Sequence, residues 1–212
     1  MTWDERTKCL AACSSDGWMT IWSMDSDQPI HATKVDDGCR SLAWRPNGKQ
    51  SDAAGVDAAR KSADNFILAS GFGNGKIVIW TPLDSKEKTK ILNQHLNWVD
   101  SLSFSPDGRF LASADSHGIL IIWATENWDE PVYISEEEIR WANRCSWLSS
   151  STDVPNYKLT FESRDSKVHV IEHTVSQSEK PSEDVNDEMN EDRQGITKTG
   201  GEFSIGSSGD LK

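Results

Sequence analysis

Leu111-Ala-Ser-Ala-Asp-Ser-His117-Gly118-Ile-Leu-Ile-Ile-Trp123 is the stretch that decides how this 212-residue chain folds. A short apolar run leads into small and polar residues, then a β-rich run that ends in tryptophan. His-Gly sits where a tight turn needs positive φ, so the stretch predicts a β-hairpin. Two other segments lie over it residue for residue. They are Leu10-Ala-Ala-Cys-Ser-Ser-Asp16-Gly17-Trp-Met-Thr-Ile-Trp22 and Leu68-Ala-Ser-Gly-Phe-Gly-Asn74-Gly75-Lys-Ile-Val-Ile-Trp80. A decayed copy, Leu159-Thr-Phe-Glu-Ser-Arg-Asp165-Ser-Lys-Val-His-Val-Ile171, carries Ile171 where tryptophan stood.

Working outward, a further strand and turn precede the second and third hairpins. Cys39-Arg-Ser-Leu-Ala-Trp44-Arg-Pro-Asn47-Gly48 overlays Val99-Asp-Ser-Leu-Ser-Phe104-Ser-Pro-Asp107-Gly108, again with Pro and Asx-Gly turn chemistry. Arg144-Cys-Ser-Trp147 fills the same place before the fourth hairpin. Trp80 and Trp123 lie 43 residues apart, and Trp123 and Ile171 lie 48 apart. Both spacings approach the roughly 40–45 residues of one propeller blade. From Trp22 to Trp80 the spacing is 58, and an insertion over 49–64 explains the excess as a surface loop. A β-sandwich of short strands is the alternative; the joint recurrence of turn, tryptophan and period argues against it. The expectation is an all-β chain, an incomplete propeller of about four blades over 1–173. Its repeats lie near 6–23, 35–81, 92–124 and 138–173. Over 174–212 acidic residues outnumber basic ones nine to four and large apolar side chains are few, so a disordered acidic tail is expected.

Composition narrows the function. A net charge of −12 opposes binding to a phosphate backbone, so no nucleic-acid partner is expected. No apolar run reaches the length of a membrane span, so no membrane insertion is expected. Cys9, Cys13, Cys39 and Cys145 show neither C-x-x-C pairs nor the density of a secreted disulfide scaffold. With an opening segment unlike a signal peptide, these features point to the cytoplasm or nucleus.

The repeated Leu-Ala-Ser, Asx-Gly and Ile-Trp elements, with Gln94-His95 ahead of Val99 to Gly108, resemble the WD-repeat family over residues 8–173. The resemblance implies a polar chain in each blade, joining a histidine, a Ser/Thr, a turn aspartate and the tryptophan indole. The third repeat offers His95, Ser113 and Trp123, with His117 where aspartate is usual. The second offers Ser70, Asn74 and Trp80, with Val35 in the histidine's place. The first keeps Asp16 and Trp22, and Asp165 marks the fourth. No repeat is expected to hold the full set, which leaves the blades reliant on apolar packing. Within the family the last three repeats look most similar to the SOCS-box WD-repeat receptors of cullin-RING ubiquitin ligases. The residues concerned are Ser41 to Trp44, the following insertion, Ile67 to Trp80, Val99 to Phe104 and Arg140 to Cys145. That likeness implies ubiquitin-ligase subunits as partners, although no SOCS-box helix is seen here.

Catalytic chemistry finds little footing. No Gly-x-Ser-x-Gly elbow occurs, and His95 is explained by its place in the repeat. Gly71-Phe-Gly-Asn-Gly75 joins strand to strand, with no helix N-terminus to hold a phosphate. Cys9-x3-Cys13 and His169-x3-His173 lie several blades apart, so no zinc site is expected. Neither a catalytic residue, a metal nor a cofactor is implied, and the chain is read as a non-catalytic scaffold that binds other proteins. The alternative is an architectural subunit whose open propeller is completed by a partner chain, since open propellers leave strand edges unpaired. Family geometry aims Trp98, Trp141, Ser15, Gly73, Ser116 and Arg164 at one face. Trp98 and Trp141 hold equivalent positions and are the expected anchors of an interface; packing of either indole against a neighbouring blade is the other reading.

Overall fold

A computed structural model describes residues 1–5, 8–35, 38–46, 66–81, 89–135, 144–148, 156–162, 167–174, 203–205 and 209–210. They form four antiparallel sheets and no helix. The first blade orders β1 (Thr2–Asp4), β2 (Cys9–Cys13), β3 (Trp18–Ser23) and β4 (His31–Lys34). The second orders β5 (Cys39–Trp44), β6 (Leu68–Phe72), β7 (Ile77–Trp80) and β8 (Thr89–Leu92). In the third, β9 (Val99–Phe104), β10 (Phe110–Asp115), β11 (Leu120–Ala124) and β12 (Asn127–Ile134) follow the same meander. The fourth holds β13 (Arg144–Leu148), β14 (Asn156–Glu162) and β15 (Lys167–Thr174), with β16 (Phe203–Ile205) and β17 (Gly209–Asp210) both pairing β15. The described residues thus form a partial β-propeller of four blades. Its inner strands contact one another in the order β1, β5, β9, β13.

Each anticipated hairpin is present, in one shared register. Leu10 faces Trp22, Leu68 faces Trp80, Leu111 faces Trp123 and Leu159 faces Ile171. In the first three turns the glycine is the residue of positive φ: 86° at Gly17, 83° at Gly75 and 88° at Gly118. Each glycine amide bonds back three residues, to Ser14, Phe72 and Asp115. This is the longer hairpin loop in which one left-handed residue closes the turn, so Asp16, Asn74 and His117 keep ordinary φ.

Alternation along the strands builds the core between blades, because successive side chains point to opposite faces of a sheet. Cys9, Ala11, Met19 and Ile21 of the first blade pack on Trp44, Leu68 and Trp80 of the second. Ala43, Ala69, Ile77 and Ile79 pack on Phe104, Leu111 and Trp123. Ala112, Ala114, Leu120 and Ile122 pack on Trp147, Leu159 and Ile171. Small residues on one blade leave room for the large row of the next, and each large side chain so buried contributes about 1.5–3 kcal/mol. Polar ties reinforce these seams. The Arg45 Nε donates to the Gly108 carbonyl at 2.7 Å, and the Trp147 indole donates to the Ser103 carbonyl at 2.9 Å.

The sheets reach past the repeats expected from sequence: β1 opens at Thr2, and β4, β8 and β12 add an outer strand to each of three blades. The 49–64 insertion lies outside the described residues. Much of the expected acidic tail does too, but Phe203–Ile205 and Gly209–Asp210 within it extend the fourth sheet. Cys9 and Cys13 sit on the first blade while His169 and His173 sit on the fourth. Among the described residues no helix is long and apolar enough to cross a membrane.

Candidate interaction face

The hairpin turns of the first three blades and the starts of β5 and β9 meet at one end of the sheets. The Gly73 amide donates to the Gly38 carbonyl at 3.2 Å, and the Ser116 amide donates to the Trp98 carbonyl at 2.8 Å. Gly75 lies so close to the His95 backbone that a Cβ there would stand 2.3 Å from the carbonyl oxygen. These contacts draw the blades into a depression of about 520 Å³ lined by Ser15, Gly38, Cys39, Arg40, Gly73, Trp98 and Asp100.

Three residues expected at this face, Ser15, Gly73 and Trp98, therefore line one cavity, and Ser116 is bonded to its rim. Trp141 and Arg164 lie outside the described residues, as does Asp165. Trp98 is 53% exposed, so its indole is not packed away between blades. The guanidinium carbon of Arg40 stands 4.4 Å from the centre of its ring. Arg40 Nε also donates to Asp100 Oδ1 at 2.6 Å. A cation over an indole at a partly exposed site contributes about 0.5–1 kcal/mol, and a solvated ion pair about 0–1 kcal/mol. Together they hold the side chains in place rather than stabilise the fold.

Sequence reasoning passed over Arg40 and Asp100. The signal was there: they occupy the same position in two overlaid strands, Cys39-Arg40-Ser41 and Val99-Asp100-Ser101, with opposite charge. Beside them, the Cys13 thiol donates to the Cys39 carbonyl at 3.5 Å and the Cys39 thiol to the Ser41 carbonyl at 3.6 Å; the nearness of the two thiols lowers Cys13 and, with burial, pushes Cys39 up.

Behind the face, the third blade corrects the reading of the repeat. Its polar chain is complete. The Trp123 indole donates to Ser113 Oγ at 3.1 Å, Ser113 Oγ meets His95 Nε2 at 2.8 Å, and His95 Nδ1 meets Asp115 Oδ2 at 3.1 Å. Asp115, not the turn position held by His117, supplies the carboxylate. Its other oxygen accepts the His117 and Ile119 amides, each at 3.0 Å. Burial pushes the Asp115 carboxyl up, but the His95 bond and the two amides outweigh it and leave it below the usual value. In the second blade the chain shrinks to Trp80 donating to Ser70 Oγ, and Asn74 instead accepts the Lys76 amide in the turn. In the first blade Ala12 replaces the serine, so Trp22 turns to Thr20 Oγ1 at 3.2 Å and Asp16 accepts local bonds, from the Ser14 hydroxyl first.

No curated protein matches the chain. The match to the repeat adds nothing toward the SOCS-box receptors in particular. Residues 86–124, which run from before β8, the outer strand of the second blade, through β9, β10 and β11 of the third, match the family described as WD domain, G-beta repeat.

Proposed function

We propose that the chain is a protein-interaction scaffold that engages its partner through the face around Trp98. The single observation behind this reading is the half-exposed Trp98 indole, held under Arg40 at the edge of a cavity built by three blades. Exposed, positioned tryptophan and arginine are the side chains that most often dominate a protein interface. Among the described residues nothing combines a nucleophile with a base and an oxyanion site, which is why binding rather than turnover is proposed. Affinity purification of the tagged chain from its own cells, beside a Trp98→Ala/Arg40→Ala variant, tests the reading. A partner lost by at least about tenfold in the still-folded variant is expected; retention of every partner would overturn it. Recruitment to a cullin-RING ubiquitin ligase is the specific form suggested by the resemblance of the last three repeats, and elongin or cullin subunits in that purification are its readout.

A second reading, in which a partner chain completes the open propeller, is favoured by a different observation. The outward face of the first blade exposes Trp3, Trp18 and Trp22, each about two-fifths accessible. Isolated surface tryptophans need no explanation, but three on one sheet face form a patch of roughly 300 Å², the size at which apolar patches mark interaction sites.

A further inference from the structure

Three times in this chain a row of large side chains is covered by the same kind of surface. Trp44, Leu68 and Trp80 are cross-strand neighbours, as are Phe104, Leu111 and Trp123, and Trp147, Leu159 and Ile171. Each row is buried against the preceding blade, which offers alanine on its second strand and isoleucine, leucine or methionine on its third. The first blade carries the same row in the same register, Trp3 beside Leu10 beside Trp22. Trp18 and Thr20 extend it along β3. Here the row is open: Trp3 is 39% exposed and Trp22 38%, against 9% and 1% for Trp80 and Trp123.

We infer that this face docks a β-sheet from a different chain, one that presents alanine on one strand and branched or long aliphatic residues on its neighbour. The inference rests on the partner-completed reading above and adds the place and the chemistry of the contact. Among the described residues, a second copy of this chain offers no such surface. Its three alanine-bearing faces are buried in its own interfaces, and the outward face of the fourth blade, though it sets Val168 and Val170 on its third strand, carries Lys158, Thr160 and Glu162 in place of alanine on its second, with Lys158 paired to Glu172 at 2.7 Å. Two tryptophan rows set face to face have no small residues to receive each other. What remains is a sheet whose relief matches that of the blades already seen.

The test places the photo-crosslinking residue p-benzoylphenylalanine at Thr20, or at Thr160 on the fourth blade, in the full chain expressed in its own cells. Crosslinked peptides are then sequenced. The expected product joins position 20 to a strand of another protein that alternates alanine with isoleucine, leucine or methionine. Its yield should fall at least about tenfold in a Trp22→Gln/Trp18→Gln variant, whose near-ultraviolet circular dichroism and unfolding midpoint report that the fold survives. Crosslinks at 160 with none at 20 overturn this inference and leave partner completion standing. Silence at both positions overturns the two together. Products joining position 20 to this chain's own peptides, or to a helical or unpatterned segment, overturn the inference as well.

Discussion

Trp123 and Trp22 end hairpins that can be laid over each other residue by residue, yet only Trp123 is enclosed. Its indole is 1% exposed, its Nε1 bonds Ser113, and the faces of two blades close around the strand that carries it. Trp22 is 38% exposed and bonds only the neighbouring Thr20. Two causes separate them, and they act at different levels. One is local: Ala12 stands where Ser113 does, so no hydroxyl waits for the indole. The other is not: the second blade covers Trp123, whereas the described residues place no sheet over Trp22. A repeat therefore specifies a hairpin, and the neighbour decides whether its tryptophan belongs to a core or to a surface.

The sharpest way to break this comparison is to truncate both rings. Trp123→Ala should cost about 3–5 kcal/mol in urea unfolding, the usual loss for a buried large aromatic. Trp22→Ala should cost less than half of that in the isolated chain, because much of its ring already meets water. Equal losses would mean that Trp22 is covered in solution.

A smaller contrast separates the polar chains. Ser113→Ala strips a partner from both Trp123 and His95, so about 2–3 kcal/mol is expected. Ser70→Ala frees only Trp80 and should cost about 1–2 kcal/mol. The difference, read from paired unfolding curves, measures what the completed chain adds to the third blade; no difference would mean that His95 and Asp115 contribute nothing beyond packing.

The smallest effect is one of pH. Asp115 titrates lower in the fold than in the unfolded chain, so its contribution is fully present above the ordinary aspartate value of 3.8 and fades as pH falls through the lowered folded value. The gap in unfolding midpoint between the wild-type chain and Asp115→Asn should therefore be constant near neutrality and narrow as pH falls below 3.8. A gap that widens in acid would show that the carboxylate is not held by His95 and the two amides.

Much of the fold was legible because its signals are local. Alternating strands, Asx-Gly or His-Gly turns and a fixed spacing predict hairpins, and Gly17, Gly75 and Gly118 take the positive φ those turns require. The outer strands were not legible. β12 alternates half-buried and exposed residues at a solvated rim, and β8 is mostly exposed, so neither carries a continuous apolar signature. Position in the repeat pointed to His117 for the carboxylate. A register irregularity between Ala114 and Asp115 pairs Asp115 with Val99, and Asp115 closes the chain to His95 instead. At the candidate face, Trp98, Ser15 and Gly73 could be assigned to one end because each has a fixed place in its own repeat. Arg40 and Asp100 could not be paired in advance, since they lie sixty residues apart in the chain and meet only where two blades adjoin.

By itself the sequence determined the unit: a hairpin closed by glycine, a first strand laid beside it, and a period that repeats the unit about four times. Those features depend on backbone sterics and on side-chain alternation within a dozen residues, which any window of the chain contains. Only the tertiary structure decided which tryptophans are core, which carboxylate holds His95, and that Arg40 stacks on Trp98. Each of those outcomes depends on a face presented by another blade, and a sheet face has no burial of its own until a neighbour is laid against it.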